Sequence, residues 1–283
     1  MKIIGFITAL VCGVLLLSNS MDFPGFGDGT SPASSHLSPY YIENTIKDSH
    51  VPNIVTSVLA DYRGYDTMYE TTVVLSAGLA CFFLLRRRKS KNPPARYFRH
   101  TPTGLTLRIE DGGKLPDENS EVFTRMDSLW TPDSIIIRNT CRIVIGFIQL
   151  FALYVVAHGH YSPGGGFQGG VLLGSSIILF AISNDLRKSL RRVKEKTAAL
   201  LGSLGVLIYA GTAFVCMLMG ANFLDYNALA PFFGINPENT DMLPMARSYG
   251  ILIVEIGVAF AVMSVMIWLY YNLSSAGKHD EGL

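Results

Sequence analysis

Residues 154–176 read YVVAHGHYSPGGGFQGGVLLGSS and join two apolar runs, each long enough to cross a membrane. The helix on the left has to end near Gly159. A second helix is expected to open near Pro163, because proline suits a first helical turn, where its missing N–H is no loss, and Ser162 before it is a good N-cap. Gly166, Gly170 and Gly174 then recur every fourth residue, which aligns them on one helix face. In lipid such a stripe lets a second backbone approach closely, and helices associate there by packing rather than by escape from water. The corner reads either as a packing element or as part of an ion passage.

The rest of the chain repeats the pattern. Only 16% of its 283 residues are charged, and the apolar residues fall into long runs, which excludes an ordinary soluble domain. Six spans are expected, at 3–17, 68–85, 135–157, 167–183, 198–219 and 250–273. Only Lys47, Arg63 and Arg247 of the 23 Lys and Arg residues fall on the segments that would face outward if the N-terminus is inside. The positive-inside rule therefore predicts a multi-pass protein of the cell (inner) membrane with cytoplasmic N- and C-termini. The expected fold is all-α, a polytopic transmembrane helical protein of two spans followed by four. Residues 1–20 could instead be a cleaved signal peptide, which would leave five spans.

The order Gly159-His160-Tyr161-Ser162-Pro163-Gly164-Gly165-Gly166-Phe167-Gln168-Gly169-Gly170 resembles the signature of the MnhB (or MrpB) subunit of the multi-subunit Mrp-type Na+/H+ antiporters. Equivalent subunits belong to membrane-bound hydrogenase and sulfane-reductase complexes. The resemblance runs from about residue 131 to 273. A second stretch, 58–70, is similar to the Asp-aromatic-Arg-Gly-aromatic-Asp-Thr-x-x-Glu motif. That motif ends the large A-type subunit of Mrp antiporters or stands in a separate E-type subunit. Asp61, Arg63, Gly64, Asp66, Thr67 and Glu70 match it, with Tyr62 and Tyr65 at the aromatic positions. The chain thus divides into an E-type segment at 1–89, a cytoplasmic linker at 90–130 and an MnhB-like domain at 131–283. A short pair of strands is expected within the linker at 104–110, where apolar and polar residues alternate.

Four residues are candidates for an ion route: Asp66, Glu70, His160 and Glu255. Asp66 is placed to cap the second span, with Glu70 in its first turn, where the helix dipole favours negative charge. With Asp61 they would form an acidic mouth for Na+, unless Arg63 simply pairs with one of them. His160 could relay a proton or cap the third span. Glu255 lies inside the last span, where a carboxylate is costly and often functional, although it could equally bond a neighbouring helix.

Cys12, Cys81, Cys141 and Cys216 show no CxxC or Cys/His spacing, so neither a disulfide frame nor a metal site is expected. No nucleotide loop, redox-cofactor motif or nucleophile constellation is present in the polar segment 90–133. The resemblance implies a non-catalytic subunit without cofactors, which helps other membrane subunits of an antiporter or hydrogenase-like complex to move Na+ and H+. Membrane lipids would be its surroundings, and no nucleic-acid partner is expected. A scaffold through which no ion passes is the alternative.

Overall fold

The computed structural model describes residues 2–86, 96–109, 113–114, 116–117, 120–126 and 134–277. The basic residues Arg87, Arg88 and Lys89 and the opening of the expected 131–283 domain lie outside them. Two compact units are formed, residues 1–44 and 45–283.

The first unit holds α1 (Lys2–Ser20), a turn of π-helix at Ala33–Leu37 and the start of α2 (Ser38–Ser49). Ser18 and Ser20 turn their hydroxyls back onto the carbonyls of Leu15 and Leu17 where α1 stops. Asp28 then accepts from the Thr30 N–H in a tight polar turn.

The second unit is organised on its last helix. It comprises the end of α2, then α3 (Ile54–Ser57), a turn of π-helix at Val58–Tyr62 and α4 (Gly64–Leu85). Three strands follow, β1 (Arg96–His100), β2 (Thr106–Ile109) and β3 (Phe123–Met126). The remaining helices are α5 (Ile135–Ala157), α6 (Gly166–Asn184), α7 (Leu186–Arg192), α8 (Glu195–Leu218) and α9 (Leu243–Ser274). With α1, the helices α4, α5, α6, α8 and α9 are, among the described residues, the six long and apolar enough to cross a membrane, so the protein is an all-α polytopic membrane protein, with one small sheet among those residues. The apolar window of α9 is 67% buried, against 11% in α4 and α5, which identifies α9 as the central helix. The helices α4, α6 and α8 pack around it, and α5 packs on α6. At 32 residues α9 is roughly 48 Å long, more than the ~30 Å hydrocarbon layer, so its ends reach past the apolar zone.

Glycines set how closely these helices approach. A methyl group at Gly170 would sit 2.8 Å from the Ala259 carbonyl, and one at Gly174 would sit 3.3 Å from that of Met263. At Gly166 it would run into the Glu255 carbonyl. The stripe at 166, 170 and 174 thus rides on 255, 259 and 263 of α9, the same four-residue step on both helices. Gly205 of α8 and Gly257 of α9 face each other in the same way. At Gly166, Gly170, Gly205 and Gly257 the backbones are too close for any side chain, while at Gly174 the neighbours would have to give by a few tenths of an ångström.

Several local expectations are corrected. Ser162 caps no helix. Its hydroxyl and its N–H both return to the His158 carbonyl, and Pro163 lies in the connection. The fourth span opens three residues later, after Gly165 at φ 124°, a conformation that only glycine adopts without strain. Asp66 does not cap α4, which begins two residues before it at Gly64. The last span starts at Leu243, because Pro244 fits its first turn instead of breaking the chain. In the expected linker, β2 does not pair within 104–110. It joins a three-stranded antiparallel sheet in the order β2-β1-β3, with Phe98 opposite both Leu107 and Arg125. All four cysteines are free, and only Cys216 is buried.

Candidate functional site

The two sequence motifs meet at one end of the bundle, and polar groups make the joint. The Asn53 side-chain amide donates to the carbonyls of Gly159 (2.8 Å) and Ser162 (2.9 Å), while its own N–H donates to the His160 carbonyl (2.9 Å). Thr56 adds a bond to the Gly159 carbonyl at 2.9 Å. The carbonyls freed where α5 ends are therefore satisfied by α3 and the residue before it. The π turn and the start of α4 are held from the other side. Tyr226, from the 3₁₀ helix Tyr226–Phe233, donates to the Ala60 carbonyl, and Tyr209 of α8 donates to that of Gly64, both at 2.9 Å. Burial raises the Tyr226 phenol well above its ordinary pKa, so it stays a donor.

Asp61 faces Arg247, which sits in the second turn of α9, with the Arg247 Nη2 atom 2.6 Å from Asp61 Oδ2. The Asp61 side chain is only 4% exposed. Burial raises its pKa, and the Arg247 charge pulls it back. The Tyr62 ring lies under the same guanidinium, and its hydroxyl donates to Asp48 at 2.7 Å. Arg63 and Asp66, by contrast, form an exposed ion pair at 2.5 Å.

Between the two motifs lies a cavity of about 200 Å³. Glu70, Thr67 and Thr71 of α4 line one side, and Gly165, Gln168 and Glu255 line the other. The Gly166 N–H, at the start of α6, donates to the Glu255 carboxylate. The other carboxylate oxygen, Oε2, is buried without a hydrogen bond and faces His160 Nε2 at 3.8 Å. That nitrogen has no hydrogen bond either, while Nδ1 lies 3.4 Å from the Ser248 hydroxyl. Burial lowers the His160 pKa, so the neutral ring is favoured. His160 does not cap α5. The Thr67 hydroxyl donates to Leu59 and that of Thr71 to Thr67, which leaves both oxygens free to accept or to coordinate. Two carboxylates and several neutral oxygens suit a hard cation of low charge. Among the described residues no group of three His, Cys, Asp or Glu could hold a metal ion.

Of the four route candidates, Glu70 and Glu255 line this cavity, and His160 stands behind Glu255. Asp66 is turned away, onto Arg63. Asn53, Thr56, Tyr209 and the Asp61–Arg247 partnership belong to the site although no motif in the sequence pairs them. The one available signal is Arg247, one of only three basic residues on the segments expected to face outward, where the acid-rich motif is also expected.

Residues 136–268 match the family model described as a domain related to the MnhB subunit of Na+/H+ antiporters, and residues 7–97 match the model of MbhE, the E-type subunit of MBH. The chain joins an MbhE-like segment to an MnhB-like domain. Antiporter subunit mnhB2 of Staphylococcus aureus (strain Newman) is 27% identical over 145 residues, half of this chain and 95% of that protein. The same values hold for mnhB2 of strain COL. These relatives are named for transport, not for catalysis. The MbhE-like segment is thus additional to what mnhB2 contains. The fold is shared with a chain of the membrane-bound sulfane sulfur reductase, an archaeal respiratory membrane complex. There the TM-score is 0.60 at 22% identity, and the match covers 96% of this chain and 97% of the other. A chain of the Mrp complex from Dietzia sp. DQ12-45-1b gives 0.57 at 23% identity, covering 96% of this chain and 26% of that one.

Proposed function

We propose that the protein is an accessory, non-catalytic membrane subunit of a multi-subunit Na+/H+ antiporter module and helps to build its ion route, within either an antiporter or a hydrogenase-type respiratory complex. The reading is supported by one observation above the others: the two motifs converge on a cavity bounded by Glu70 and Glu255. Na+ would meet the carboxylates and threonine hydroxyls there, and the His160–Glu255 pair could hold a proton beside it. In this proposal residues 1–89 are the E-type segment, 90–130 a cytoplasmic linker and 131–283 the MnhB-like part, with both termini inside. Reporter fusions at Ser35 and Met242 should then report the outer side, and fusions at Lys188, Asn119 and His279 the inner side. The last two positions lie outside the described residues.

The test is Na+-dependent transport in vesicles carrying the assembled complex. Glu70→Gln and Glu255→Gln should each lower it about tenfold with assembly unchanged, as expected when a charged ligand becomes neutral. Asp66→Asn, turned away from the cavity, should change it little. A scaffold is the second reading, favoured by the neutralisation of two motif acids, Asp61 and Asp66, by arginines. Normal transport in both glutamine variants would leave the scaffold standing.

A further inference from the structure

Two ion pairs tie the part of the MbhE-like segment around α4 to the MnhB-like domain, one at each end of that helix, and their polarities are opposite. Before α4 opens, the segment supplies the acid, Asp61, and the domain supplies the base, Arg247 of α9. Where α4 closes, the segment supplies the base, Arg86, and the domain supplies the acid, Glu195, the first residue of α8. The Arg86 Nη1 atom lies 3.1 Å from both Glu195 carboxylate oxygens, and the two side chains are only 17% and 16% exposed. The last helix completes this second joint. The Trp268 indole N–H and the Asn272 amide of α9 donate to Glu195 Oε1 at 2.9 and 3.3 Å. The Phe82 ring packs on both the Arg86 guanidinium and Trp268. Between these ends α4 has little to distinguish it. Residues 71–85 carry no charge, and the domain meets them at apolar side chains, with Leu75 against Gly202 and Val265 against Gly78. Any apolar span offers as much, because lipid gives helices no hydrophobic reason to prefer one partner. The 22 residues of α4 measure about 33 Å, so neither pair reaches the other, and a slip of one helical turn, about 5.4 Å, breaks both.

We propose that these two opposed ion pairs are the code by which the MnhB-like domain selects the MbhE-like segment among apolar spans and fixes its register. A matched pair gains little once the loss of water is counted. A wrong span, or the right one out of register, takes a counter-charge away from a group already drawn out of water, and that is costly. Discrimination of this kind comes more from the penalty on the wrong partner than from the gain with the right one. The surface therefore fits a spanning helix with an acid just before its start and an arginine at its end. The inference does not depend on ion passage through the Glu70–Glu255 cavity.

The experiment uses the assembled complex, with a protease site inserted in this chain between residues 127 and 133. After cleavage in the membrane and extraction into detergent, the N-terminal half retained on a tagged C-terminal half is measured. The wild-type halves should stay together. Asp61→Asn and Arg247→Gln should each lower retention about tenfold, and the two together should recover most of it, because the remaining charge is then removed as well. At the other end, Arg86→Glu and Glu195→Arg should each set like charges face to face and lose the segment, while the exchanged pair should hold it. Where a single variant does not assemble, the uncut chain gives the same reading, since less of it than of the paired variant should enter the complex. Losses that simply add in both paired variants would overturn the proposal, as would full retention of the four single variants. Separation of the wild-type halves on cleavage would also overturn it, because the covalent connection would then be what holds the segment.

Discussion

The central helix α9 is held by two different kinds of contact along its length. Through its middle, glycines of α6 and α8 bring backbones together, and nothing polar is needed. Towards its start, at Arg247, the joint is made by ions and hydrogen bonds: Arg247 to Asp61 and Ser248 to His160, beside the neighbouring bonds of Tyr209 on α8 to Gly64 on α4 and of Asn53 to the α5–α6 corner. The difference follows the surroundings. Inside lipid there is no hydrophobic incentive for helices to meet, and close shape is what remains. Near the boundary the chain leaves its helices, and every exposed carbonyl and charge has to find a partner.

The largest effect is expected from filling the glycine contact. Gly170→Leu would push a branched side chain into the Ala259 carbonyl and Val262, costing about 3 kcal/mol or more. The subunit should drop out of its purified complex. Gly211, where an added methyl meets nothing within 4 Å, is the matched control, and Gly211→Leu should assemble normally. Equal behaviour of the two variants would remove the distinction between a packed and an open glycine.

A comparable but pH-sensitive effect is expected at the polar end. Arg247→Gln leaves Asp61 buried without its counter-charge, at a cost of about 3 kcal/mol. Burial already raises the folded pKa of Asp61, and Arg247 restrains that rise. A carboxyl raised on folding contributes stability below its ordinary pKa, and that contribution is lost as pH rises through the folded value. Removing the arginine raises the folded value further. The deficit of the variant should therefore narrow as Asp61 takes up a proton, when thermal unfolding is followed from about pH 8 to about pH 5. A deficit independent of pH would mean that Arg247 acts by packing rather than by charge.

The smallest effect belongs to the motif pair that the sequence makes most conspicuous. Arg63 and Asp66 are more than half exposed, so Arg63→Ala should shift stability by no more than about 0.5 kcal/mol. A larger loss, measured by the same unfolding assay, would extend the polar joint out to the surface pair.

Much of this protein was legible in one dimension. The spans were readable because lipid demands about twenty apolar residues in a row, a local property of the chain. The period of Gly166, Gly170 and Gly174 was readable for a similar reason, since helical geometry alone puts those positions on one face. Helix starts were less legible. Pro244 and Ser162 each carry a signal that can begin or end a helix, and neighbouring helices decided which. What the sequence could not specify were the pairings across long separations. The glycine stripe fits a second four-residue step at 255, 259 and 263. Asp61 finds Arg247 rather than the nearby Arg63. Glu70 and Glu255, 185 positions apart in the chain, line one cavity. Periodicity reports which side of a helix is special, but a bilayer lets many partners satisfy that side, and only the packed structure selects one.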